Sequence, residues 1–162
     1  MSRRGERHPP KKKHQNKPRP DPVVPMSDAD RKLKAAQLFQ KALDHLAEAE
    51  RIGRWGEAPN ACVHAAYYAM HHCAAAAILA AGGVGKRRDV PQSHEHVIEH
   101  YGKLVVSEAG FLGQSGMVLS RARTDRMVAD YNLTRNVSAS DVEETLRDAR
   151  RFVDVCKNKW NF

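Results

Sequence analysis

Aromatic side chains are scarce in this chain, at 6 % of 162 residues, and no alternating run of Val, Ile or Thr is present. Half-buried strands need such runs, so a sheet framework is excluded. Cysteine is sparse as well: Cys62, Cys73 and Cys156 are odd in number and have no C-x-x-C spacing. That leaves no basis for a disulfide framework, and the three are expected reduced and buried in a cytoplasmic protein. No run is lipophilic enough to cross a bilayer, because even residues 60–81 are diluted by His, Tyr and Ala. The N-terminus lacks an apolar segment and so does not read as a secretory signal.

Acidic residues are missing mainly from the start of the chain. Residues 1–24 hold eight Lys or Arg against two acids, net +6, whereas the remainder is nearly balanced at +2. With Pro9-Pro10, Lys11-Lys12-Lys13 and Arg19-Pro20 and hardly any apolar side chain, this stretch does not offset the entropy of ordering. Residues 1–26 are therefore expected to form a disordered basic tail, followed by a helical domain over 27–162. Such a tail either holds nucleic acid through its phosphates or serves as a passive leader.

The run from Asn60 to Leu79 is the most informative stretch present. Its twenty residues include no Lys, Arg, Asp, Glu, Gly or Pro, and Ala dominates it. Alanine is the best helix former, and an uncharged helix in water must be buried around most of its circumference. Yet the run carries Tyr67, Tyr68, His64, His71 and His72. Either each has a buried partner or together they line a site.

Four further helices surround this one in the sequence. Ser27 to Asp30 resembles a capping box and opens a helix to about Gly53. Pro59 suits the first turn of the second helix, which runs to Gly82-Gly83. The loop to Pro91 carries Lys86-Arg87-Arg88. A third helix is expected from near Ser93 to about Gly110, burying Val97, Tyr101, Leu104 and Val105. Gly113 to Gly116 reads as a break before a fourth, Met117 to about Asn132, with Met117, Leu119, Val128 and Tyr131 partly buried. A fifth starts at Ser138 or Ser140 and buries Val142, Leu146, Ala149, Phe152, Val153 and Cys156. Short loops between these segments predict an all-α, up-and-down bundle of about five helices.

Two constellations compete for the chemistry. His96-Val-Ile-Glu99-His100 matches the H-x-x-E-H order of inverted zinc peptidases, with the histidines on one helix face and Glu99 as base. A third ligand from another helix would be required, and an exposed polar face explains the spacing as well. His71-His72-Cys73 is a weaker metal signal, because adjacent helical residues diverge by about 100°. The other constellation is Arg123, Arg126 and Asp130, at i, i+3 and i+7 on one face. An Arg turned toward a helix interface needs a carboxylate or a phosphate. An Arg126–Asp130 surface pair is the simpler reading of the same spacing.

Ala65-Ala-Tyr-Tyr-Ala-Met-His-His72, a basic loop, Ser93-His94, Arg126-Met-Val-Ala-Asp-Tyr131 and a closing amphipathic helix together resemble the HEPN (higher eukaryotes and prokaryotes nucleotide-binding) family. The resemblance covers about residues 30–158 and is closest to a branch with Tyr-Tyr-Ala-Met-x-His and Arg-x-x-x-Ala-Asp-Tyr motifs. It implies a five-helix bundle, a homodimer, and RNA or nucleotide as ligand. It also implies metal-independent ribonuclease activity in many members, often in toxin–antitoxin or antiviral systems with a nucleotidyltransferase as partner protein. Other members only bind nucleotides or a partner. Cleaving members carry an Arg shortly before a His on the fourth helix, whereas Arg126 here is followed by Asp130 and Tyr131. Arg87 and Arg88 have that spacing to His94, but across a loop containing Pro91. Arg126, Asp130, Tyr131 and His72 are accordingly the candidate catalytic residues, with His72 supplying the missing imidazole. Arg123, Lys86, Arg87, Arg88 and Tyr68 are the candidate nucleic-acid contacts. No metal and no cofactor are expected.

Overall fold

The computed structural model describes residues 22–132, 134 and 136–162. Most of the expected basic tail lies outside them, and residues 22–26 have no regular structure. Five helices follow: α1, Asp28–Trp55; α2, Pro59–Ala80; α3, His94–Val105; α4, Gly110–Tyr131; and α5, Ala139–Trp160. Among the described residues the only extended pairing is a single bridge between Val84 and Asp89.

Local chemistry sets most of the helix starts. Ser27 accepts from the Asp30 amide, Ser93 from the His96 amide, and Ser138 forms a reciprocal capping box with Asp141. Each cap satisfies an amide that has no partner within its helix. Pro59 occupies the first position of α2, where its missing N–H costs nothing.

Helix α2 is the axis of the bundle and packs against all four others. Its alanines from Ala74 to Ala77 are buried together with Cys62, Val63, Tyr67, Met70, Cys73 and Leu79. Helix α1 runs antiparallel to it: the buried Arg31 donates to the Leu79 carbonyl near one end, and Cys62 donates to the Ala49 carbonyl near the other. That Arg31 contact places a cation on the carbonyl end of α2, where it offsets the helix dipole. Helix α4 is also antiparallel to α2, since Asn60 donates to the Ala129 carbonyl while Arg126 lies against Tyr67 and Tyr68. Tyr101 of α3 contacts Ser115 of α4 and Cys156 of α5, at 2.8 Å and 3.2 Å, and so joins three helices in the core. All three cysteines are free and buried.

The structure departs from the sequence pattern between α3 and α4. Helix α3 ends at Val105, short of Gly110, and α4 runs straight through Gly113 and Gly116. These glycines are packing residues here. A Cβ on Gly113 would sit 2.1 Å from the Glu108 carbonyl oxygen, and one on Gly116 would sit 2.9 Å from the Gly102 Cα. Gly116 thus leaves no room for a side chain where α4 crosses α3, and Gly113 leaves none where α4 meets the segment that precedes it. Met117 and Tyr131, expected partly buried, are each 71 % exposed; Leu119 is buried as expected, and Ser115, Ala122 and Ala129 complete the buried face of α4.

The glycines of this region have opposite expected effects. Gly113→Ala should cost about 1–3 kcal/mol through overpacking, despite alanine's better helix propensity. Gly102→Ala meets nothing within 4 Å and should gain about 0.5–1 kcal/mol. Urea unfolding of the two variants checks both signs.

Candidate functional site

The polar residues of α2 gather on the side that faces α3 and α4. Tyr67, fully buried, donates its hydroxyl to Nδ1 of His94 at 2.6 Å. His94 in turn stacks on His71, with ring centroids 4.1 Å apart and planes within 12°. On the α1 side His45 stacks on His72 at 5.3 Å. Tyr68 lies between these pairs, with its ring 4.9 Å from His64, 5.7 Å from His94 and 6.0 Å from His72. Seven rings from three helices therefore form one continuous patch.

Arg126 of α4 enters this patch. Its guanidinium carbon is 5.9 Å from the Tyr67 ring centroid, 5.8 Å from Tyr68 and 6.0 Å from Tyr131, within cation–π range of all three. The Arg126 Nε is 2.8 Å from Oδ2 of Asp130, with both side chains mostly covered, at 16 % and 20 % exposed. The approach is too oblique for a hydrogen bond, so Nε is left without an aligned acceptor. The Arg126–Asp130 pair expected on the surface exists, with its side chains partly covered by the patch. The same carboxylate accepts from Nδ1 of His64, 3.2 Å from each oxygen.

Burial and nearby cations keep most of the imidazoles neutral. His71 is lowered to about 3, first by burial and then by His94 and His72. His72 is lowered to about 4 by burial, His45, Lys41 and His94. His94 is also lowered, by burial and by the charges of Arg126 and Arg123. Tyr67 is raised to about 12, chiefly by burial, so it stays a phenol and can donate to the unprotonated His94. Nδ1 of His71 is buried with no partner.

The residues expected from the sequence separate into groups. Arg126, Asp130, Tyr131 and Tyr68 come together in one place. His72 is on the same patch but one ring away, with Tyr68 touching both it and Arg126. Arg123 lies at the edge, ion-paired to Glu95 at 2.6 Å. Lys86, Arg87 and Arg88 sit past the far end of α2, about 20 Å along the helix from Tyr68 at 1.5 Å per residue. There Arg88 has a positive φ of 54° and pairs with Asp28 at 3.1 Å. The sequence-based site leaves out His64 and His94. The signal for His64 is its position one turn before Tyr68 and two turns before His71 on α2. At the H-x-x-E-H segment Glu99 pairs with Lys103, and among the described residues no three potential ligands gather to hold a metal.

The neutral imidazoles make stability depend on acidity. Unfolding restores an ordinary histidine pKa near 6.5 to His71 and His72, so the unfolded chain takes up protons first. Stability is fully present above that value and declines as pH falls toward 4 and 3, with a ceiling of about 1.4 kcal/mol per pH unit for a wholly buried group. The urea midpoint should drop between pH 7 and pH 5, and His71→Gln should reduce the drop.

A search of curated proteins returns no match. The HEPN domain family model matches residues 35–159, from the first turns of α1 to the last turn of α5. With that match over most of its length and the five-helix bundle just described, the chain belongs to the HEPN domain family.

Proposed function

We propose that this HEPN domain binds RNA or a nucleotide at the patch between α2 and α4, with Arg126 holding a phosphate. The observation that supports this reading is the setting of Arg126. It is a permanently charged fork among three tyrosine rings, with one carboxylate beside it and solvent-facing Tyr131 next to it. Cations among π-faces suit a ligand that alternates phosphates with bases able to stack. Tyr68, Tyr131 and Arg123 are the contacts proposed around Arg126, and Lys86, Arg87, Arg88 and the basic tail are proposed as outer phosphate contacts. The reaction that fits the family is metal-independent RNA cleavage, with Arg126, Asp130, Tyr131 and His72 around the scissile phosphate. A role in a toxin–antitoxin or antiviral system, beside a nucleotidyltransferase partner, is part of the same proposal. A second reading is a non-catalytic binding or regulatory subunit. The pairing of Arg126 with Asp130 and the absence of a histidine on α4 favour it.

Binding of a labelled single-stranded RNA of mixed sequence, followed by fluorescence anisotropy, tests the assignment. Arg126→Ala should weaken binding by about tenfold or more, the worth of a charge-assisted contact. Arg126→Lys should recover only part, because lysine lacks the planar fork. Removing residues 1–24 should flatten the slope of log affinity against log salt by about 0.7 for each phosphate the tail had neutralised. Unchanged affinity in a folded Arg126→Ala variant would count against the site.

The outer face of α4 supports the proposed homodimer. Met117, Met127 and Tyr131 are 71 %, 43 % and 71 % exposed and, with Ser120 and Thr124, fall at alternating three- and four-residue steps on one face. A self-complementary stripe of this kind is readily covered by a two-fold partner. Light scattering should give a dimer at micromolar concentration, and Met117→Glu with Met127→Glu should give a folded monomer.

A further inference from the structure

Helix α4 carries no histidine, but an imidazole reaches the neighbourhood of Arg126 from another helix. His64, near the start of α2, is 45 % exposed, and its Nδ1 is held by Asp130. Asp130 binds Arg126 through the same oxygen that His64 contacts. Since 2.8 Å and 3.2 Å meet at one oxygen, Arg126 Nε and His64 Nδ1 lie within about 6 Å of each other. An aspartate on Nδ1–H fixes the tautomer that leaves Nε2 as a proton acceptor.

We propose that His64 is the general base of this site, positioned by Asp130, and that it acts on a ribose 2′-hydroxyl beside the phosphate held by Arg126. The inference rests on the RNA reading above and gives it a mechanism. His64 Nε2 takes the 2′-hydroxyl proton as the 2′-oxygen forms a bond to phosphorus. The bond from phosphorus to the 5′-oxygen breaks, and that oxygen takes a proton from water. The imidazolium then returns its proton to solvent. The products are a 2′,3′-cyclic phosphate and a 5′-hydroxyl, with no oxidant, reductant or metal consumed.

The other histidines of the patch are less suited to this role. His94 has Nδ1 engaged by the Tyr67 hydroxyl, and its ring is stacked against His71. His72 and His71 are desolvated, which weakens them as bases. Among these His64 is the exposed ring, and it stands beside both the tyrosine faces and the guanidinium. Asp130 is a positioning residue, since it acts through His64 and Arg126.

The test uses the full chain with an end-labelled RNA oligonucleotide pool of randomised sequence, in EDTA. Binding and cleavage are measured separately, and the product ends are identified by their resistance to phosphatase. Wild type is expected to leave cyclic phosphate ends. His64→Ala and His64→Gln should lower the cleavage rate at least about a hundredfold while retaining RNA affinity and the wild-type circular dichroism spectrum. Asp130→Asn should move the acidic limb of the pH–rate profile, which a purely structural carboxylate would leave in place. Cleavage by His64→Ala at the wild-type rate overturns the assignment and leaves the RNA reading intact. Binding by wild type with no cleavage of the pool overturns it too, and favours the non-catalytic subunit. No binding at all overturns the RNA reading on which it rests.

Discussion

An uncharged, alanine-rich helix has to be covered, and the fold follows from that requirement. Without a single Lys, Arg, Asp or Glu, α2 has no face that prefers water, so four helices close around it. Small side chains let those helices approach, and the close glycine contact between α3 and α4 extends the same economy of space. What remains polar on α2 is confined chiefly to tyrosine and histidine rings. They are amphipathic enough to sit at a packed interface and still present a hydrogen-bonding edge.

The electrostatics of the patch follow from placing a cation there. Arg126 cannot shed its proton, so its charge must be compensated where it lies, and Asp130 does this at close range. The same positive charge, together with burial, discourages protonation of His94, while His71 and His72 are kept neutral mainly by desolvation. One carboxylate therefore serves two helices, joining Arg126 on α4 to His64 on α2. Removing it would leave a guanidinium largely out of water without its nearest anion.

The parts of this architecture that are legible in the sequence are those set by nearby residues. Ser27, Pro59 and Ser138 mark helix starts because capping is local, and the burial of α2 is evident from its lack of charge. The start of α4 is not legible. Gly113 and Gly116 read as breakers, and only the approach of Glu108 and Gly102 explains why they lie within a helix. Met117 and Tyr131 read as inward-facing because their apolar character says nothing of which neighbour is present. At the site, Arg126 and Asp130 are visible as an i,i+4 pair. His64 is visible only as a polar intrusion on α2, since its partner lies 66 residues away. His94 reads as the start of the third helix with no stated partner, and the packing of α3 against α2 brings it to Tyr67.

The start of α1 is fastened to the loop that follows α2: Met26 donates to the Arg87 carbonyl, Arg88 pairs with Asp28, and Lys34 pairs with Asp89. The basic segment upstream thus joins the domain at one end of α2, while Arg126 and His64 lie near the other. At 22 residues, α2 is about 33 Å long. A molecule touching both ends must therefore be extended, and a compact small molecule can occupy only one of them. The length of a single helix thereby separates ligands by size alone.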